Sequence, residues 1–314
     1  MKAYLLSEAG GVENLELRTI ETPAIKADEV LVQTKAISIN PVDVKVRPSD
    51  EALAMILQTE ERPLILGWDI SGVVLKVGEE VTDFAVGDKV FGMVNFPGHG
   101  KAYAEFVASP ADHLAKMPEG MNFEDAAATT LAALTALQVL SGEVTAGDRV
   151  LIHAGSGGVG HFAIQIAKNM GAYVITTSSA KNRDFCIAQG ADEHIDYREV
   201  KFEEVLSHID FVLDGMGGDT LATSVKVVKP GGKIVSLPTH AFDEDLQAKA
   251  DAGGVTLASV MVQSNGEDMK KLRAMLEAQT LKPHVSITFP FEQLQEAHLQ
   301  IESGRTIGKA VVTL

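Results

Sequence analysis

RVLIHAGSGGVGHFAIQIAKNMG, residues 149–171, is the stretch from which the fold is read. A short apolar run at 150–153 leads into Gly155-Ser156-Gly157-Gly158-Val159-Gly160, and an amphipathic segment over 162–170 stops at Gly171. Strand, glycine turn and helix in this order are what a dinucleotide-binding fingerprint requires. One glycine makes the tight turn, one lets the backbone approach a pyrophosphate, and one allows helix and strand to pack closely. The pyrophosphate then sits at the helix N-terminus, where unpaired N–H groups and the macrodipole favour negative charge. Gly155, Gly157, Gly158, Val159 and Gly160 are therefore candidate cofactor-binding residues. The competing reading is a turn with a purely structural role.

Around this stretch, strand and helix patterns alternate. Strands are expected at 150–153, 173–177, 211–214, 233–237 and 255–259, with helices at 162–170, 182–189, 202–208, 220–228 and 243–252. Alternation of this kind predicts an α/β domain with a doubly wound parallel sheet. Pro230-Gly231-Gly232 reads as a turn before a buried strand. The first 122 residues read differently. Segments at 29–36, 70–77, 89–94 and 102–108 are short, β-rich and separated by Gly, Pro and Asp. Helical patterns return at 123–141, and after a helix at 268–278 the chain closes with strand, helix and strand at 285–289, 291–303 and 309–314. The expected organisation is a β-rich domain of residues 1–122 with 262–314, and a nucleotide-binding domain of residues 123–261.

Bulk properties narrow the function classes. A formal charge of −16 opposes nucleic acid and anionic membrane as partners. No apolar run is long enough to span a bilayer, and the first residues show no basic leader or sustained apolar core. One cysteine, Cys186, allows no intrachain disulfide and fits a reducing compartment, so a cytoplasmic location is expected.

The end of the second strand bears on the type of nicotinamide cofactor. A site for NADH usually places Asp or Glu there, to accept from the ribose 2′-hydroxyl. This chain instead reads Thr176-Thr177-Ser178-Ser179-Ala180-Lys181-Asn182-Arg183. Small hydroxyls followed by cations suit a 2′-phosphate, which points to NADPH with Ser178 and Lys181 as its contacts. A serine cap for the next helix plus a surface lysine would look the same, and the two readings are compatible.

Further motifs carry a family resemblance. They are Ser38-Ile39-Asn40-Pro41-Val42-Asp43, Gly67-Trp68-Asp69-Ile70-Ser71-Gly72, Val86-Gly87-Asp88, Leu134-Thr135-Ala136, Gly190-Ala191-Asp192, Ile195-Asp196-Tyr197, Lys229-Pro230-Gly231-Gly232 and Gly308-Lys309. In this order, and along almost the entire chain, they resemble the medium-chain dehydrogenase/reductase family, specifically its zinc-independent quinone oxidoreductase branch. The resemblance implies a GroES-like β domain, a Rossmann domain inserted before the C-terminal segment, and a homodimer. Zinc-dependent relatives keep a cysteine in the segment matching 39–43 and a His-Glu pair where this chain has Trp68-Asp69, and a cysteine-rich lobe near 91–103. All are missing, and His99 and His113 do not make up a ligand set, so no metal is expected.

Without a Lewis acid, plain alcohol–ketone exchange is disfavoured. Hydride delivery to an acceptor that spreads negative charge itself, a quinone or an α,β-unsaturated carbonyl, remains. The resemblance implies that Asn40 and Asp43 lie by the nicotinamide ribose, Thr135 by the nicotinamide, and Tyr197 at the adenosine end. It also implies that Gly215, Ser236, Leu237 and Lys309 border the cofactor. Lys45, two residues beyond Asp43, is a candidate donor to a ribose hydroxyl or a developing enolate. Tyr103 and His99 flank the loop Pro97-Gly98-His99-Gly100, but neither is assigned as an acid. Two alternatives stand beside this reading. One is an enoyl-thioester reductase, weakened because neither Tyr4 nor Tyr103 stands at the expected donor position. The other is a non-catalytic NADPH-binding protein.

Overall fold

The computed structural model describes residues 1–59 and 61–314. The chain divides into two compact units, Met1–Leu134 with Val262–Leu314, and Thr135–Met261.

Among the described residues, the second unit is built on a six-stranded parallel sheet. Its spatial order is Glu193–Asp196, Tyr173–Ser178, Arg149–Ile152, Ile209–Asp214, Val228–Ser236, Thr256–Ser259. Numbered along the chain this is 3-2-1-4-5-6, the doubly wound order, and it reverses direction between Arg149–Ile152 and Ile209–Asp214. Ligands of such sheets bind at that reversal, outside the carboxyl ends of the strands. Leu151, Ile175, Val212 and Ile234 point into one apolar core with Phe202, Leu221 and Leu246 from the covering helices. Burial on both sheet faces explains why the central strands read as continuous apolar runs.

Among the described residues, the first unit carries a seven-stranded, largely antiparallel sheet. Its long strand Glu29–Ile39 pairs with Asp69–Val77 on one side; on the other its halves pair with Phe106–Pro110 and with the C-terminal strand Lys309–Thr313. Val30, Val32, Ile70, Val74, Val90 and Val107 form the core beneath it. The closing strand thus lies in the sheet that begins near the N-terminus.

Several boundaries differ from the sequence expectation, each for a local reason. The helix after the glycine turn begins at Gly158, inside the glycine run, because its first turn is held by the packing of Gly155 and Gly160 rather than by propensity. Pro230-Gly231-Gly232 is no turn. It is an irregularity inside the strand Val228–Ser236, where Val228 pairs with Ile209 and Lys233 with Phe211. Proline lacks the N–H a ladder needs and Gly231 sits at φ +83°, so the strand bulges and resumes. The 123–141 segment breaks at Thr129-Thr130 into Phe123–Ala128 and Leu131–Leu140. Two short helices, Pro41–Val46 and Asp50–Leu57, and the strand Glu193–Asp196 had no periodic signal, being too short to show one.

Candidate active site

In the second unit, Arg149–Ile152 ends at His153, and Ala154 at φ +55° turns the chain into the glycine run. A Cβ on Gly155 would stand 1.9 Å from Thr176 Oγ1, and one on Gly160 2.3 Å from the Ala154 carbonyl. These two glycines let helix Gly158–Asn169 pack onto the strands. Gly157 faces the other way: a Cβ there would meet the Ala154 oxygen at 3.2 Å and nothing closer. Gly157 caps the helix without a side chain, so the first-turn N–H groups of Gly158, Val159 and Gly160 are offered by bare backbone. A pyrophosphate fits such a cradle by shape and by charge.

The turn is braced from behind. His153 is buried; its Nδ1 lies 2.9 Å from Thr177 Oγ1 and its Nε2 2.9 Å from Ser224 Oγ. Ser224 donates to the Thr220 carbonyl at 2.7 Å, so it accepts from His153 Nε2–H. Burial pushes the His153 pKa down to about 4, consistent with that tautomer. Asp214 accepts from the N–H groups of Met216 and Gly217 and from Ser236 Oγ at 2.7 Å, which shapes the turn around exposed Gly215. Leu237 follows, its N–H bonded to the Asp214 carbonyl at 2.9 Å.

At the end of Tyr173–Ser178 the side chains separate. Ser178 is turned inward, its hydroxyl 2.7 Å from His194 Nε2, whereas Lys181 is exposed. Tyr197, 57% exposed, stands just past Glu193–Asp196 with the Arg198 guanidinium over its ring. Asn182, which the sequence did not single out, donates to Ser156 Oγ at 2.8 Å and ties this loop to the glycine turn. Nothing in its local pattern distinguishes it from a surface helix residue. Thr135 is buried in Leu131–Leu140.

The first unit gathers Asn40, Asp43 and Lys309 in a buried polar cluster. Asn40 caps the helix Pro41–Val46, with its N–H bonded to Asp43 Oδ2 at 2.7 Å. Its side-chain amide donates to Asp69 Oδ2 at 2.7 Å and accepts from Lys309 Nζ. Lys309 also donates to the Ile39 carbonyl at 3.3 Å and lies 3.9 Å from Asp69. The Leu131 N–H occupies Asp69 Oδ1 at 2.9 Å. Lys309 is thus an internal cation, and burial lowers its pKa against the opposing pull of Asp69 and Asp43. Burial pushes Asp43 up to about 7, with the Asn40 N–H pulling it down and Asp69 pushing it further up. Lys45 is exposed on the same helix and does not join the cluster.

The loop residues turn inward. His99 Nε2 donates to the Ile65 carbonyl at 2.9 Å, and burial pushes the ring down to about 4. Tyr103 is fully buried with its hydroxyl 2.9 Å from His298 Nε2, and His298 Nδ1 is 2.8 Å from Arg47. Arg47 and His298 lie far apart in sequence, so no local pattern announced them.

The comparisons with known proteins agree with this architecture. Residues 26–119 match the alcohol dehydrogenase GroES-like domain, and residues 189–312 match the zinc-binding dehydrogenase family. An NADPH-dependent alkenal/one oxidoreductase of Arabidopsis thaliana is 34% identical over 99% of this chain and 79% of that protein. The chain belongs to the medium-chain dehydrogenase/reductase family. Within it, the quinone oxidoreductase from Coxiella burnetii superposes with a TM-score of 0.92 at 36% identity, covering 100% of this chain and 99% of that one. The Escherichia coli quinone oxidoreductase complexed with NADPH gives 0.88 at 26% identity, covering 100% of both chains. This medium-chain reductase does not fit the zinc that one of the matched families is named for. Trp68 is buried with its indole N–H on the Gly98 carbonyl at 2.7 Å, and both Asp69 oxygens are occupied. Among the described residues no three His, Cys, Asp or Glu side chains converge as a ligand set. Also among them, no helix is long and apolar enough to cross a membrane.

Proposed function

We propose that this chain is an NADPH-dependent reductase that delivers hydride to quinones or α,β-unsaturated carbonyls. The observation that carries this is the glycine cradle: bare backbone N–H groups at 158–160, packed from behind by Gly155 and Gly160 and open in front. Family membership supports the same cofactor and acceptor class, since relatives are named for alkenals, enones and quinones. When bound, NADPH supplies the hydride. The protein's part is to hold it: the 157–160 backbone takes the pyrophosphate, and Lys181 pairs with the 2′-phosphate. Tyr197 covers the adenosine end, and Gly215, Ser236, Leu237 and Thr135 line the rest. Ser178 contributes by fixing the loop through His194 rather than by direct contact. In the first unit the candidates are Asn40, Asp43 and Lys309, gathered in its own buried polar cluster, with Lys45 a candidate donor on the helix surface. An acceptor that delocalises its own negative charge suits a site whose donors are already occupied internally, with the final proton taken from solvent.

An enoyl-thioester reductase is the weaker reading. Tyr4 donates to the Glu292 carbonyl at 2.9 Å and Tyr103 is fully buried, so neither is presented as an acid to a thioester substrate. The proposed assembly is a homodimer and the proposed location the cytoplasm, supported by family resemblance and by one buried, unpaired cysteine. Light scattering tests the dimer.

The enzymatic test is loss of NADPH absorbance with benzoquinone, phenanthrenequinone, a short alkenal and crotonyl-CoA, run in parallel with NADH. Turnover of the quinones or the alkenal is expected. Tight NADPH binding with no turnover of any of the four would mean a binding protein instead.

A further inference from the structure

We propose that Arg47 is a positioning residue that favours the ionised, hydrogen-bond-accepting form of Asp43, acting through His298 and Tyr103. Arg47 is buried, with its guanidinium on Glu302 Oε1 at 2.5 Å, the Gly10 carbonyl at 3.0 Å and His298 Nδ1 at 2.8 Å. A guanidinium donates and never accepts, so His298 Nδ1 must present its lone pair. Burial and the neighbouring cation push His298 down to about 3, so the ring is neutral and its one proton is on Nε2. That N–H donates to the Tyr103 oxygen at 2.9 Å. The phenolic proton is then left to find a different acceptor.

Asp43 supplies it. The Tyr103 hydroxyl faces the Asp43 carboxylate, whose charge adds to burial in raising the phenol's pKa. Asp43 Oδ2 is taken by the Asn40 N–H, while Oδ1 is buried with no donor in hydrogen-bond geometry. Oδ1 is thus the unsatisfied acceptor on the carboxylate that the Tyr103 hydroxyl faces. The opposite arrangement fails. A proton on Asp43 Oδ1 and the proton on His298 Nε2 would both point at the Tyr103 oxygen, and the phenolic proton would have no partner. Reversal needs the His298 tautomer to flip, which Arg47 opposes, so the chain favours the carboxylate against the burial that raises its pKa. Three other groups act on Asp43: the Asn40 N–H and Lys309 favour its ionised form and Asp69 opposes it. None of them sets the direction of the chain. Arg47 does so from the last position of Asp43's own helical turn, four residues on.

The inference concerns Asp43's charge state; its kinetic consequence rests on the reading that Asp43 belongs to the reductase site. The test uses the cofactor-free protein labelled with 13C-aspartate, following the Asp43 carboxyl shift against pH and assigning it by its loss in Asp43→Asn. A wild-type midpoint near neutrality is expected. Arg47→Met and Tyr103→Phe should each raise it by about one pH unit, since each removes a contact that favours the carboxylate. Tyr103→Phe keeps the aromatic volume, so it carries the test if Arg47→Met does not fold. Glu302→Gln keeps the guanidinium and should leave the midpoint in place. A midpoint unmoved by Tyr103→Phe, or moved as far by Glu302→Gln as by Arg47→Met, overturns the proposal. The acid limb of kcat/KM for quinone reduction is then read in the same variants. If the carboxyl midpoint moves and the limb does not, the hydrogen-bond chain stands and the placement of Asp43 in the reaction falls.

Discussion

Around residues 155–160 the second unit presents bare backbone, whereas around Asn40 the first unit buries formal charge. The glycine cradle works by subtraction: removing side chains brings strand, helix and phosphate site together, and neutral groups such as His153, Thr177 and Ser224 brace it from behind. The Asn40 cluster works by mutual occupation. Asp43, Asp69 and Lys309 are all almost fully buried, and each relies on the others or on Asn40. A backbone site tolerates change behind it as long as no atom is added. A buried charge network fails when any one member is removed, because the charge left behind has neither water nor partner.

The largest expected effect follows from that contrast. Lys309→Met leaves Asp69 facing Asn40 without its cation, and should cost about 3–5 kcal/mol of stability, measured by denaturant unfolding. A loss below about 1 kcal/mol would mean the cluster relaxes or takes in water. In the cradle, Gly155→Val forces a side chain against Thr176 Oγ1. Overpacking of about 1–3 kcal/mol should weaken NADPH roughly 10- to 100-fold, read by fluorescence titration. Lys181→Ala should weaken NADPH by about 5-fold and leave NADH unchanged, the scale of an exposed charge pair. Equal losses with both cofactors would place the 2′-phosphate elsewhere.

The smallest effect is on pH dependence, and its sign differs between the buried histidines and Asp43. His153 and His298 have pKa values pushed to about 4 and about 3 from the ordinary 6.5, so the unfolded chain binds their protons first. Stability present above pH 6.5 should therefore fall as the pH drops toward those values. Asp43 runs the other way: its pKa is raised from 3.8 to about 7, so its contribution is present at low pH and lost as the pH rises through that window. Thermal melting should fall by a few degrees from pH 6.5 to 4.5 in the wild type. The fall should be steeper in Asp43→Asn, which removes only the opposing contribution. An unchanged slope in that variant would show that Asp43 does not hold its raised pKa.

The nucleotide unit was readable because its determinants are contiguous. Residues 149–171 carry strand, turn and helix in one stretch, and the absence of an acid after the second strand is visible at 176–183. The same proximity explains the errors: the helix start at Gly158 and the bulge at Pro230-Gly231-Gly232 depend on what packs or pairs against them, which a local pattern omits. Asn40, Asp43 and Lys309 entered through motif order, but their joint burial around Asp69 has no local signature. Arg47 lies in a stretch without a periodic signal, and His298 falls within the segment expected to be helical at 291–303. Each acquires a role through a partner more than two hundred residues away.

By itself, the sequence determined the fold class of both halves and pointed to a nucleotide turn and to a 2′-phosphate, because strand periodicity, glycine spacing and short-range charge are local properties. The tertiary structure decided which hydroxyls are free, which lysine is internal, and which way the protons point between Arg47 and Asp43. Burial sets the cost of an unpaired charge and folding chooses its partner, and neither is a property of any one stretch of chain.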